Sequence, residues 1–348
     1  MTVLAQGQRG RDTETVPRPR RRRVLGLVLA VAVLTALLML SLMIGSTAIA
    51  PSVVWNALVD PSAHADQFAI RDFRLPRTLV GLVVGMALGL SGALIQALVR
   101  NPLADPGVLG VHAGSSFAVT VAVGLLGVRE ARGYMWFAFA GALIVTLLVL
   151  ALGSTRKGSS PVVMVLAGVC VGAVLGGARE ALQLTDPDAF DAMRFWNAGS
   201  ITGRPLDVVW PILPFFAMAL VLALVVSGPL NALALGDELA RAQGVRLART
   251  RFLAVIALTL LAGGATAIAG PIGFVGLMVP HVARWIAGPD QRWIFAYSVL
   301  LSPSLLLASD VLGRVLMRPG EIPVGIVTAF VGAPVLVVLV RRRKASGL

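Results

Sequence analysis

The sequence predicts an all-α membrane protein whose chain crosses the lipid bilayer about ten times. Hydrophobic residues make up 57% of the 348 residues and charged residues only 14%, and the mean hydropathy is +0.85. This apolar content is higher than that of soluble domains. About ten apolar runs also approach the roughly 20 residues that a helix needs to span a bilayer core.

The apolar runs give the expected helices in chain order. Each run lies between charged segments, which are unfavourable in the hydrocarbon core, or between Pro- and Gly-rich breaks. Residues 1–23 then form a basic N-terminal tail, residues 24–340 the transmembrane domain, and residues 341–348 a basic C-terminal tail. The predicted spans are Val24–Ile44, Thr78–Val99, Val108–Val128, Tyr134–Gly153, Pro161–Leu184, Asp207–Ser227, Phe252–Ala269, Pro271–Ala287, Trp293–Val311 and Ile322–Val340.

The distribution of charge predicts how these helices are oriented. If the helices alternate in direction, one side holds 20 of the 30 Lys and Arg residues but only 6 of the 17 acids. Basic residues accumulate on the cytoplasmic side of membrane proteins, so both termini are expected in the cytoplasm. The net charge of +13 is therefore interpreted as a topology signal, and no nucleic-acid partner is expected.

The N-terminus also has features of a secretory signal peptide. An arginine cluster, an apolar run and Ala48-Ile49-Ala50 follow one another, as they do at cleaved leaders. Since the run is long enough to span a bilayer and Pro51 follows the potential cleavage site directly, we expect the segment to be retained as the first helix.

The sequence contains no pattern typical of catalysis or of a bound cofactor. The two lysines, Lys157 and Lys344, do not follow a Gly-rich phosphate-binding loop, and the three histidines are scattered. We therefore expect no catalytic residues, no metal site and no cofactor. Asp310 is the main acid inside a predicted span, and its spacing predicts an i,i+4 ion pair with Arg314 rather than a transport carboxylate.

Two sets of glycines recur at every fourth residue. Gly81, Gly85 and Gly89 mark one face of the second predicted helix, and Gly168, Gly172 and Gly176 mark one face of the fifth. Small residues allow helix backbones to approach closely in a membrane. Both faces are therefore predicted to be seams between helices.

Several connections between the runs are too polar and too particular to be ordinary loops. Together they resemble the FecCD/BtuC-type permeases, the membrane subunits of type II ATP-binding-cassette importers, from about residue 70 to the C-terminus. This resemblance implies a BtuC-like fold. The matching stretches are Arg74-Leu75-Pro76-Arg77, Arg100-Asn101-Pro102-Leu103-Ala104-Asp105-Pro106, Leu235-Gly236-Asp237-Glu238-Leu239-Ala240-Arg241-Ala242-Gln243-Gly244-Val245, Gly270-Pro271-Ile272-Gly273-Phe274-Val275-Gly276, Pro280-His281-Val282-Ala283-Arg284, Glu321-Ile322-Pro323-Val324-Gly325 and Gly332-Ala333-Pro334.

One polar connection, residues 231–251, predicts a short surface helix on the cytoplasmic side. Gly236 and Gly244 are natural helix stops, and acids stand at its start. The resemblance implies that this segment is the coupling element that contacts the ATPase subunit, and a solvated linker is the alternative. Its central residues are Gly236, Asp237, Glu238, Ala240, Arg241 and Gly244.

Two further segments are expected on the outer side. The resemblance implies that Arg74, Arg77 and Arg314 receive acidic side chains from a solute-binding protein, as an Arg fork suits a carboxylate, with local ion pairs as the alternative. The stretch from Phe195 to Ser200 resembles a family segment that flanks the mouth of the translocation pathway. Its candidate pathway residues are Phe195, Trp196, Gly199 and Ser200, although Trp196 is also typical of an interfacial anchor.

The resemblance implies a complete transport assembly. Its members are two copies of a separate ATP-binding subunit, a second permease subunit that is identical or closely related, and an extracytoplasmic solute-binding protein. The expected substrate is a ferric siderophore, with cobalamin and haem as alternatives. A secondary transporter driven by an ion gradient is the alternative from another class, since helices 2–5 and 7–10 are weakly similar in length and glycine content.

Overall fold

The protein is an α-helical bundle, as seen in a computed structural model. The structure describes residues 20–345 except 46, 60–64, 156–157, 160, 187–190, 192–193 and 195. The predicted N-terminal tail before Arg20, the last three residues of the predicted C-terminal tail, and Phe195 therefore lie outside the described residues.

Twelve labelled α-helices and several shorter segments form the described part of the chain. The short segments are an α-helical turn at Ala65–Phe68 that continues as a π-helix at Ala69–Arg74, 3-10 turns at Pro106–Leu109 and Leu206–Val208, and the paired strands β1 (Ser154–Thr155) and β2 (Gly158–Ser159). The labelled helices are α1 (Arg20–Met43), α2 (Pro51–Val59), α3 (Leu75–Val99), α4 (Val111–Gly124), α5 (Ala131–Leu152), α6 (Pro161–Thr185), α7 (Leu213–Ala234), α8 (Asp237–Ala242), α9 (Leu247–Ala269), α10 (Val275–Ala287), α11 (Gln291–Leu316) and α12 (Val324–Ala345).

All ten predicted spans coincide with helices. Among the described residues, seven helices are long and apolar enough to cross a membrane, and three shorter apolar helices, Val111–Gly124, Val275–Ala287 and Val324–Val338, account for the other predictions. Several boundaries differ: some helices continue into the polar region beyond the apolar run, whereas α4 and α10 are shorter than the predicted spans. Helix α9, for example, begins at Leu247 and carries Arg249 and Arg251 in its first turns.

The lengths of the helices repeat along the chain. Helices α3 to α6 have 25, 14, 22 and 25 residues, and helices α9 to α12 have 23, 13, 26 and 22. The short second helix of each block begins after a Pro-containing connection, and Pro106 of the first connection lies beside Gly276 in the first turn of α10. The weak similarity between the two predicted blocks thus has a structural counterpart.

Helices α3, α9 and α11 form the buried centre of the bundle. Helix α3 packs against both α9 and α11, and the glycines of α3 allow this close packing. A Cβ atom at Gly85 would overlap the backbone of Pro303, and one at Gly89 would overlap Ser302. The prediction that the Gly81, Gly85 and Gly89 face forms a helix–helix seam is confirmed.

Helix α6 is different, because most of its apolar surface is exposed. A Cβ at Gly168 would overlap the carbonyl of Val108, whereas one at Gly172 would make only ordinary contact with Ala113. A Cβ at Gly176 would have no neighbour within 4 Å in the described part of the chain. Within the described part of one subunit, Gly168 and Gly172 therefore lie against a neighbouring segment, and a helix contact at Gly176 stays a prediction.

Candidate functional site

Helix α8 is a short helix presented on the surface at the end of α3 that carries Arg100. Both glycine stops are confirmed, with φ of +108° at Gly236 and +79° at Gly244, a backbone region that L side chains rarely adopt. The Val245 amide donates to the Ala240 carbonyl at 3.0 Å and closes the helix end. The Ala240 side chain is fully buried, whereas Glu238, Leu239 and Arg241 are exposed.

The acid at the start of α8 fixes the helix to the bundle. Asp237 accepts a hydrogen bond from Arg251 of α9 at 2.7 Å, and it lies 3.5 Å from the Arg100 guanidinium at the end of α3. These contacts tie α8 to two of the central helices. Within the predicted coupling segment, Asp237 therefore positions the helix, while Glu238 and Arg241 are available to a partner.

Asn231, which the sequence did not mark as a functional residue, makes a second connection at the α8 end of the bundle. Its amide nitrogen donates to Asp290 at 3.0 Å, and its amide oxygen accepts from the Gln291 backbone at 2.8 Å. Asp290 also caps α11 by accepting from the Arg292 amide. These bonds join the end of α7 to the start of α11. Their only signal in the sequence is Asp290-Gln291-Arg292, because Asp is a common N-cap residue at the start of a helix.

Arg74 lies at the opposite end of α3, about 39 Å from Arg100 at 1.5 Å per residue. Its guanidinium donates to the carbonyl oxygens of Leu42 at 3.0 Å, Met43 at 2.8 Å and Thr47 at 2.8 Å. Residues at the C-terminal end of a helix have carbonyls without intrahelical partners. Arg74 therefore closes the end of α1 rather than extending into solvent.

Arg77 and Arg314 share one buried carboxylate. Arg77 donates to Asp310 through Nη2 at 2.7 Å and through Nε at 3.1 Å, and Arg314 forms the predicted i,i+4 ion pair with the same acid. Arg314 also donates to the carbonyls of Ser41 at 2.9 Å and Ile44 at 2.7 Å. The two arginines and Asp310 are almost completely buried.

A second carboxylate completes this outer cluster, which we define as Arg74, Arg77, Arg314, Asp310 and Glu321. Glu321 accepts from Arg77 Nη1 at 2.6 Å, and unlike Asp310 it is partly exposed. The cluster borders a cavity of about 440 Å³ that Asp72, Thr202 and Arg204 also line. With Asp310 behind the lining, four arginines lie against three acids, so the region around the cavity has a small positive balance.

The arginine predictions thus have a structural outcome in two parts. The structure brings all three arginines together around one cavity, and it supplies each of them with acceptors from the chain itself. The local ion pairs expected as an alternative are present. Their proposed contact with a partner's acidic side chains stays a prediction.

Within the stretch from Phe195 to Ser200, the described residues 196–200 pack between two other segments of the chain. Trp196 is only 2% exposed, so it is not a lipid-facing anchor. The Ser200 amide donates to Ala269 at 2.8 Å, and the Gly325 amide donates to the Gly199 carbonyl at 2.9 Å. Trp196, Gly199 and Ser200 therefore connect the end of α9 to the start of α12, and their role at a pathway mouth stays a prediction.

These features define a multi-pass α-helical membrane protein with polar clusters at two ends. The model of the FecCD transport family matches residues 33–342. The chain therefore belongs to the FecCD transport family.

Individual relatives agree with this assignment. The chain is 48% identical to the ferric enterobactin transport system permease protein FepD of Escherichia coli (strain K12), over 88% of this chain and 92% of that protein. It is 36% identical to the iron(3+)-hydroxamate import system permease protein FhuB of Bacillus subtilis (strain 168), over 88% of this chain and 80% of that protein.

A solved structure has the same fold. An inward-facing conformation of a metal-chelate type ABC transporter matches with a TM-score of 0.79 and 29% sequence identity, over 92% of this chain and 99% of that chain. The expected type II importer fold is confirmed by this match.

Proposed function

We propose that this chain is the transmembrane permease subunit of an ATP-binding-cassette importer for a ferric siderophore. Family membership supports the transport class. The single structural observation that carries the proposal is the surface helix α8. Asp237 and the buried Ala240 attach it to the bundle, whereas Glu238, Leu239 and Arg241 are exposed. The protein itself has no catalytic role in this assignment, and ATP is hydrolysed by the separate subunit.

The exposed side of α8 is the contact with that ATP-binding subunit. Leu235 and Leu239 are 61% and 56% exposed and lie beside the charged side chains of Glu238 and Arg241. Apolar anchors with a charged rim are typical of protein interfaces. Because Asp237 ties α8 to α3 and α9, force applied to α8 reaches the centre of the bundle. Each permease subunit binds one copy of the ATPase, which gives two copies in the importer.

A second permease subunit, identical or closely related, covers the open side of α6. A Cβ atom added at Gly176 or Gly177 would have no neighbour within 4 Å in the described chain. Small residues of this kind allow a helix of another subunit to approach closely. The exposed apolar side chains of α1 and α7 face lipid instead.

The outer cluster is the docking site for an extracytoplasmic solute-binding protein. The positive cavity lining complements acidic side chains. The distribution of basic residues predicts that the α8 end and both termini lie in the cytoplasm. The protein then lies in the cell membrane with the cavity on the outer side, and the pathway mouth lies near Trp196, Gly199 and Ser200.

The choice of a ferric siderophore as substrate is supported by the relatives. The two reported above are named for ferric enterobactin and iron(3+)-hydroxamate transport, and both are ferric chelates. Cobalamin and haem are the alternative substrates, and a direct uptake test compares them with ferric siderophores.

The test is ATP-driven uptake by the importer reconstituted in proteoliposomes. A panel of ferric catecholate, ferric hydroxamate, haem and cobalamin is offered with the solute-binding protein, and we expect uptake of a ferric siderophore only with ATP. Uptake driven by an ion gradient without ATP would refute the proposal, and preferential uptake of haem or cobalamin would refute the substrate assignment.

Charge reversal on α8 tests the ATPase contact in the same system. The double substitution Glu238→Arg with Arg241→Glu should abolish co-purification of the ATPase subunit and lower uptake by at least about tenfold, since interface charges in the wrong position are repulsive. The chain should still insert normally, because both side chains are exposed. Arg129→Glu, at another exposed position, is the matched control. Full co-purification by the double variant would contradict the contact.

A further inference from the structure

Arg77 binds two carboxylates that differ sharply in their surroundings. Asp310 has a side chain that is 1% exposed and is held by Arg314 as well as by Arg77. Glu321 has a side chain that is 35% exposed and meets Arg77 at the rim of the cavity. Because water competes for exposed ion pairs, the Glu321 contact exchanges more easily than the buried Asp310 contact.

Glu321 lies in the connection between α11 and α12. The Thr202 hydroxyl donates to it at 3.4 Å from the connection that precedes α7. Four residues later, the Gly325 amide donates to the Gly199 carbonyl at the start of α12. The Arg77–Glu321 pair therefore holds together α3, residues 199–204 and the first turn of α12.

We propose that Glu321 occupies a carboxylate-binding site on Arg77 before docking, and that an acidic side chain of the docking solute-binding protein displaces it. This inference rests on the proposed function. The site consists of Arg77 Nη1 and the cavity in front of it, lined also by Arg74, Arg204 and Arg314. The incoming carboxylate replaces one of the same charge, so Arg77 keeps a partner throughout the exchange.

The exchange has a consequence for the start of α12. Once Glu321 leaves Arg77, residues 317–323 lose their ion pair to α3 while the Asp310 pair remains in place. Docking then loosens the contact between α12 and residues 199–204, next to the proposed pathway mouth. Arrival of the loaded binding protein is thereby coupled to movement at that mouth.

The test measures docking to the permease–ATPase complex in lipid nanodiscs, with the solute-binding protein identified by its stimulation of ATP hydrolysis. Glu321→Gln removes the competing charge but keeps a group that can bond to Thr202, and we expect the Kd to fall about tenfold. Asp72→Asn is the matched control: it removes one negative charge from the same cavity, and no described ion pair links Asp72 to the cluster. Its effect should be much smaller.

A second measurement follows hydrogen exchange at the Ile322 and Gly325 amides, which donate to Gly313 and Gly199. We expect docking to accelerate exchange in the wild type, and Glu321→Gln to show the faster rate before docking. An unchanged or raised Kd in Glu321→Gln, or an equal fall in Asp72→Asn, would overturn the inference while leaving the proposed function intact. Absence of docking to the wild-type complex would instead overturn the proposed function together with the exchange.

Discussion

Asp310 shows how one buried acid organises the outer end of the bundle. Its two oxygens accept hydrogen bonds from Arg77 of α3 and Arg314 of its own helix. Arg314 in turn holds the last carbonyls of α1. A buried charge is tolerated only when it is fully paired, so each member of this set depends on the others.

Replacing this acid should destabilise the protein strongly. In Asp310→Asn, Arg314 stays buried without its ion-pair partner and Arg77 keeps only the partly exposed Glu321, so we expect a loss of about 3–5 kcal/mol in the free energy of unfolding. A thermal unfolding curve of the detergent-purified chain measures the effect, with Asp72→Asn as the exposed control. Equal melting temperatures for the wild type and Asp310→Asn would contradict this account of the cluster.

At the scale of helices, α3 and α6 use the same glycine spacing for different purposes. The glycines of α3 lie against the backbone and side chains of α11 within the chain. On α6, Gly176 lies on an uncovered part of the helix. The same sequence pattern therefore serves internal packing in one helix and, in the proposed assembly, contact with a second subunit in the other.

Two matched substitutions separate these roles. The side chain of Gly85→Val would overlap the backbone atoms of Pro303. We therefore expect the folded yield of the single subunit to fall at least about tenfold. Gly176→Val has free space and should leave the folded yield within about twofold of the wild type, but it should weaken assembly of the two permease subunits. Size-exclusion chromatography of fluorescent fusions reads both quantities. A monomer fraction unaffected by Gly176→Val would argue against α6 as the subunit contact.

At the scale of the whole molecule, the two polar ends have different chemistry. The α8 end exposes Leu239 beside Glu238 and Arg241, and the other end contains a cavity of about 440 Å³ bordered by arginines. In the proposed importer, an ATPase binds the first end and a solute-binding protein the second. The central helices α3, α9 and α11 connect the two ends.

The orientation of these ends can be measured with thiol labelling. Cys170 is the chain's one cysteine, so Cys170→Ser gives a cysteine-free background. In intact spheroplasts, a membrane-impermeant maleimide should label Asp72→Cys but not Leu239→Cys, and both should react after permeabilisation. The background variant should remain unlabelled, and the reverse pattern would refute the cytoplasmic location of α8.

Much of the fold could be predicted because helices in a bilayer follow from local sequence. Apolar runs of bilayer length predicted the ten helices, and Gly236 and Gly244 predicted the ends of α8 through their positive φ angles. Asn101 and Asp105, each followed by a proline, cap their own turns. The errors are mainly helix boundaries, since helices extend into the polar interface where hydropathy gives no signal.

The sequence by itself determined the membrane class, the helices, the short surface helix and the Asp310–Arg314 pair, because all of these depend on residues close together in the chain. Only the tertiary structure decided that Arg77 binds Asp310 and Glu321, which are 233 and 244 residues away. It also decided which glycine face is covered and which is open. These features depend on which helix faces meet, and in a uniformly apolar chain hydrophobicity does not distinguish one face from another.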